Sequence, residues 1–168
     1  MPTLAALVVS ILAQVAAPPA ADPCPPHLFI LERTTNKNIV VYDAKRLPSG
    51  AFDPAKPAIA YWICNAEKGQ REELTSMQWN RAYGFDTRPA KKPDRYRMTF
   101  KADFGRSFVV QMRDGCPVAI ARIGGKKGIV RRIFVHVKTT FLVPSVQSVE
   151  IFGEDPETGA PMHEEFHP

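Results

Sequence analysis

The sequence predicts a mainly β fold: an antiparallel meander of about nine strands, closed into a barrel-like domain or folded into a sandwich, with one short helix. Three observations predict it. Sixteen prolines and ten glycines are spread through 168 residues, too many for a helical bundle and well suited to a chain that turns often. Residues 95–102 (RYRMTFKA) alternate strictly, with Tyr96, Met98, Phe100 and Ala102 on one face and Arg95, Arg97, Thr99 and Lys101 on the other, the period of a half-buried strand. Turn signals recur at short intervals in the second half: Asp103-Phe104-Gly105-Arg106, Asp114-Gly115 and Gly124-Gly125-Lys126-Lys127-Gly128. An open sheet of this size would leave long edges and an uncovered face, so closure is expected.

The elements follow in order. Residues 27–33 (HLFILER) and 38–44 (NIVVYDA) read as strands joined by the turn Thr34–Lys37, with Asn36 able to adopt left-handed geometry. Residues 45–57 hold three prolines and a Ser-Gly pair and form a loop. Residues 58–64 (AIAYWIC) are apolar on both parities, as in a strand covered on both faces. Thr75-Ser76-Met77-Gln78 fits a capping box and opens a helix from about Ser76 to Tyr83, with Gly84 placed for a left-handed C-terminal cap. So short a helix must be held by packing. Residues 86–94, with Pro89 and Pro93, read as loop. Strands follow at 95–102, 107–113, 118–123, 129–142, 146–152 and 162–166, with Pro117 expected to lengthen the Asp114-Gly115 turn.

Domain organisation is simple. Residues 1–21 resemble a signal peptide: Leu4 to Ala17 is an apolar run of h-region length and small residues follow it, although the segment lacks Lys or Arg. Residues 22–26 are a Pro-rich tail, and 27–168 form a single β-rich domain. Export to the periplasm or the extracellular space is therefore expected, with no transmembrane helix once the signal is removed. An oxidising compartment permits one disulfide among Cys24, Cys64 and Cys116. All three pairings are open, and exposure favours Cys24–Cys116: Cys116 follows a hairpin turn and Cys24 lies in the tail, whereas Cys64 sits in an apolar strand.

Charge is uneven. Residues 88–138 carry a net charge of +11 and residues 139–168 a net of −6. Basic strands, including Arg95, Arg97, Lys101, Arg131 and Arg132, could meet an anionic surface; a solvated outer face balanced by the acidic tail explains the same pattern. His163-Glu164-Glu165-Phe166-His167 matches the H-E-x-x-H zinc motif, but nothing around it reads as a long core helix, so no metal site is expected. The Gly124–Gly128 run lacks the spacing of a phosphate loop. His136 lies mid-strand, where a pocket around it would be needed for catalysis.

One polar and aromatic set stands out: Glu32, Arg33, Asn36, Asn38, Tyr42, Tyr61, Trp62, Arg81 and Tyr83. Rings with a few convergent polar groups hold ligands in concave sites, although the same residue types also build cores and turns. The stretch from His27 to Ile63 and then Arg71 to Phe85 resembles a bacterial family of unknown function, domain of unknown function 4833. The features that carry the resemblance are Glu32-Arg33 with Asn36 and Asn38, Val41-Tyr42-Asp43, Tyr61-Trp62-Ile63 and Ala82-Tyr83-Gly84, and it extends over residues 27–166. It implies no activity, cofactor or catalytic residue.

Three functional classes remain. The first is a binding module for a small molecule or glycan in a cleft or barrel mouth. The second is a surface protein engaging anionic lipid or polysaccharide through its basic strands. The third is an enzyme with an unrecognised site, ranked last because no nucleophile or acid–base motif is readable. No cofactor is called for, and nucleic acid sits poorly with export.

Overall fold

The computed structural model describes residues 24–102, 105–140 and 143–168. The signal-peptide reading of residues 1–21 falls outside the described residues, as do Asp22 and Pro23 of the tail.

The strands are β1 (Phe29–Arg33), β2 (Asn36–Ala44), β3 (Ala58–Ile63), β4 (Arg71–Glu73), β5 (Phe85–Pro89), β6 (Arg95–Phe100), β7 (Ser107–Arg113), β8 (Cys116–Ile123), β9 (Lys126–Thr140), β10 (Val143–Glu154) and β11 (Pro161–Phe166). Nine follow one hydrogen-bonded path, β4-β3-β2-β1-β9-β8-β7-β6-β5, curled into a half-barrel. β10 pairs with β9 off this path and β11 pairs with β10. The one α-helix among the described residues, α1 (Ser76–Gln78), runs directly into a π-helical stretch, Trp79–Tyr83.

The mainly β, barrel-like expectation holds, with four corrections. The sheet is not wholly antiparallel. β1 and β9 run parallel, Leu31 beside Ile133 and Arg33 beside Val135, because β9 joins two separate meanders, β1–β4 and β5–β8. Residues 86–94, with Pro89 and Pro93, read as loop, yet their first part belongs to an edge strand, Phe85–Pro89, where the missing N–H of Pro89 costs no ladder bond. Asn36 does not take left-handed geometry; its side chain accepts from the Asn38 amide at 3.0 Å. Pro117 does not lengthen the hairpin. It pairs with Met112 inside β8, and the turn is the two residues Asp114 and Gly115, with φ of 51° and 80°. Gly124 and Gly125 turn alike at 59° and 81°; both pairs supply the positive φ that a tight two-residue hairpin demands.

The core fills the inside of the curl. Phe29 stacks on Tyr42 at 4.5 Å and on Phe108 at 5.7 Å, and Phe100 meets Tyr42 edge-on at 5.5 Å. Met98 and Phe100 are buried and Tyr96 packs on Phe52, so the alternation in β6 separates core from solvent. Cys24 and Cys116 form a disulfide across 92 residues of chain, and Cys64 is a buried free thiol. Closing a loop of that length stabilises the fold by about 4–5 kcal/mol in the chain-entropy account.

Candidate functional site

The site begins with the helix. The Gln78 amide donates to Thr75 Oγ1 at 3.3 Å while Gln78 Oε1 accepts from the Thr75 amide at 2.9 Å, a complete capping box. The same Oε1 accepts from Trp62 Nε1 at 3.2 Å, so the residue that starts the helix also ties it to β3. The expected left-handed cap is not formed. Gly84 is extended at φ −70°, ψ 164°, and its N–H donates to the Trp79 carbonyl at 2.9 Å, closing the wider π turn. Glycine is required there for space: a Cβ would stand 2.1 Å from the Trp79 oxygen and 2.7 Å from its Cγ.

This geometry aims Tyr83 at Arg33. Phe29 and Leu31 face the core, so period-2 alternation turns Arg33 inward with them. Its guanidinium lies 4.9 Å from the Trp62 ring centroid and 5.5 Å from that of Tyr83, and Nη1 donates to the Tyr83 hydroxyl. The two rings meet edge-on at 5.0 Å. Beneath them the Tyr42 hydroxyl donates to the Tyr83 carbonyl at 2.8 Å. Burial holds the Tyr42 phenol well above its ordinary pKa and raises that of Tyr83 too, against the pull of Arg33; both hydroxyls stay neutral. Arg33 Nε is buried and has no hydrogen-bond partner.

A cleft of about 420 Å³ opens beside this cation. Leu31, Val135 and Val137 form its floor, Arg33, Arg81 and Tyr83 one wall, and Pro144 and Val146 the other. The second wall exists because β9 and β10 continue beyond the end of β1. Thr34 pins that extension: its Oγ1 accepts from the Val137 amide at 2.9 Å and donates to the Val137 carbonyl at 3.0 Å. Neither Arg33 nor Arg81 has a carboxylate within ion-pair distance among the described residues.

Of the nine residues singled out in the sequence, Arg33, Arg81 and Tyr83 line the cleft, Trp62 packs against Arg33 and Tyr83, and Tyr42 supports them from the core. The other four go elsewhere. Glu32 faces outward and accepts from Arg132 at 3.0 Å. Asn36 shapes its turn, and Asn38 holds the Ala66 amide at 2.8 Å. Tyr61 lies on the opposite face of β3 from Trp62, donating to Asp43 at 2.6 Å under the Arg71 guanidinium, 3.6 Å from its ring centroid. Burial, and then that hydrogen bond, push its phenol up to about 12. The apolar floor and far wall were missed. Their only sequence signal was that β9 outlasts its partner β1, which a single strand pattern does not reveal.

The other motifs resolve plainly. His163 lies in β11, a strand, where residues four apart are ~13 Å distant and cannot share a metal as they would on a helix. Its Nε2 meets Glu150 Oε2 at 2.7 Å, and His136 Nε2 meets Oε1 of the same carboxylate at 2.6 Å. This trio sits on the outer face, and His136 lines none of the described cavities. No group of three or more metal-ligating side chains is arranged to hold an ion among the described residues.

The family model called domain of unknown function, DUF4833, matches residues 29–165. The chain belongs to that family. The match spans both the half-barrel and the cleft, so Arg33, Trp62, Tyr83 and the β9–β10 extension all lie within the DUF4833 region. No curated protein and no solved structure matches the chain.

Proposed function

We propose that this DUF4833 chain is a binding module whose cleft takes a small amphipathic anion. The charged head lies against Arg33 and Arg81, and the apolar body runs along Val135, Val137 and Val146. One observation carries the reading: a cation packed against two rings, with its Nε buried and unbonded, beside a mostly apolar cleft and with no carboxylate at ion-pair distance among the described residues. Leaving a buried donor unsatisfied costs roughly 1–3 kcal/mol, and an anion entering the cleft offers the missing charge. Mostly apolar walls with a few polar groups are the general pattern of such sites.

Export is part of the proposal. The apolar run from Leu4 to Ala17 supports it, as does the disulfide, which persists in oxidising compartments. N-terminal sequencing of the protein recovered outside the cytoplasm, beginning after residue 17 or later, is the expected result.

Trp62 packs against Arg33 and Tyr83, and the Trp79 carbonyl accepts the Gly84 N–H that closes the π turn, so both tryptophans report on the site. Decanoate should change their fluorescence saturably, with decanol at least about tenfold weaker and acetate weaker still. Equal binding of decanol and decanoate, or no response to either, overturns the assignment.

A further inference from the structure

We infer that the outer face of β5–β9 is a second, separate binding surface, for a linear anionic polysaccharide. The cross-strand register sets like charges directly opposite one another on that face: Arg88 against Arg97, and Arg122 against Lys127. Such pairs destabilise a sheet. Three nearby acids are already engaged: Glu164 holds Arg106 at 2.6 Å, Asp86 holds Lys101 at 2.7 Å, and the Asp155 carboxylate accepts from the Glu157 and Thr158 amides. Arg88, Arg95, Arg97, Arg122 and Lys127 have no ion pair among the described residues. The acidic final strands thus neutralise part of the basic middle and leave this patch charged.

The shape selects among polyanions. Two grooves of about 590 Å³ each meet over Val109, Ile120 and Lys127, giving one channel with an apolar floor and sides that carry more basic than acidic groups, Glu164, Asp155 and Glu157 being the acidic ones. Strands ~4.8 Å apart repeat the cations across the channel, which suits a chain carrying charge on successive units better than a single small anion. A bilayer is disfavoured: the exposed large apolar side chains among the described residues, Leu47, Met77 and Val146, all lie elsewhere. Single-stranded nucleic acid is disfavoured because no aromatic ring among the described residues lines either groove, so its bases would find no stacking platform there.

Calorimetric titration of the full chain with a heparin dodecasaccharide tests this. Binding is expected, weakening about tenfold or more between ~50 and ~300 mM NaCl. The Arg97→Glu, Lys127→Glu double variant should weaken it about tenfold or more. Arg97→Glu alone should keep or raise the melting temperature, since it turns the Arg88 repulsion into attraction; a purely structural arginine would instead lower it. Lys127→Ala, the mildest change, gives the same direction of binding loss without reversing charge. Arg33→Met should leave heparin binding intact, which separates this surface from the cleft. Undiminished binding by the double variant overturns the inference. So does phosphatidylglycerol-vesicle or oligothymidine binding as tight as that of the dodecasaccharide.

Discussion

Glu32 and Arg33 are consecutive on β1 yet belong to two differently built regions. Glu32 looks out, onto a face where charge and ring are matched. Arg132 bonds it at 3.0 Å and lies over Phe152 at 4.1 Å, Phe152 stacks on His163 at 4.6 Å, and His163 shares Glu150 with His136. Arg33 looks in, where it has rings and a phenol but no carboxylate among the described residues. The outer cluster is complete in itself, and exposed pairs of its kind add little stability. The inner cluster is incomplete, and buried polar groups without partners are where function is sought. The difference teaches that ionic residues of one strand are to be sorted by what faces them, not by their place in sequence.

The sharpest way to break the inner region is Gly84→Ala. The added methyl has no room beside Trp79, so the π turn must open and Tyr83 must move off Arg33. Overpacking of this kind costs about 3 kcal/mol, read as a lower urea midpoint, with decanoate binding lost. The His136–Glu150–His163 cluster should keep its histidine NMR signals. Wild-type stability and decanoate affinity in this variant would show that the helix does not build the cleft.

This residue also marks what sequence could reveal. The capping box at Thr75 and Gln78 was legible because it is local chemistry, two side chains bonding two backbone amides three residues apart. Gly84 was legible as the end of the helix but not as its geometry: an extended glycine forced by a tryptophan carbonyl depends on the π register, which propensity does not encode. The alternation of β6 and the Asp114-Gly115 hairpin were likewise local and readable. The parallel β1–β9 pairing was not, because it joins segments about a hundred residues apart with no turn signal between them. That pairing decides the site, since it places Arg33 beside Val135 and leaves β9 to overhang the cleft. Arg33, Trp62 and Tyr83 were found by residue type, while Glu32 and Tyr61, each next to one of them in sequence, were grouped with them although strand alternation sends them to the other face.

A smaller effect separates the two neighbours. Glu32→Gln removes a partly exposed pair and should cost about 0.5–1 kcal/mol, leaving decanoate binding unchanged. Arg33→Met replaces an incompletely bonded cation with an apolar chain of similar length. Loss of the ring contacts and relief of desolvation oppose each other, so stability should stay within about 1 kcal/mol of wild type while decanoate affinity falls about tenfold or more. Urea melts and fluorescence titrations of both variants read the contrast directly. Reversed roles, with Glu32 governing affinity, would move the site to the outer face.

The smallest effect is in pH, and it distinguishes the regions most cleanly. Hydrogen bonds from His136 and then His163 hold the Glu150 carboxyl below its ordinary value of 4.5. A carboxyl depressed in the folded state contributes stability that is complete above its unfolded pKa and is lost as pH falls through the folded one. Glu150→Gln removes that contribution, so its deficit relative to wild type should shrink as pH falls from about 5 to about 3. Arg33 has no carboxylate partner among the described residues, so the offset of Arg33→Met should stay flat across the same interval. Urea unfolding of wild type and both variants at several pH values measures the two slopes. A flat Glu150→Gln offset would mean the histidines do not engage that carboxylate in solution. An Arg33→Met offset that changes on acidification would mean a carboxylate does reach the cleft, and the head-group position assigned to the ligand would then belong to the protein itself.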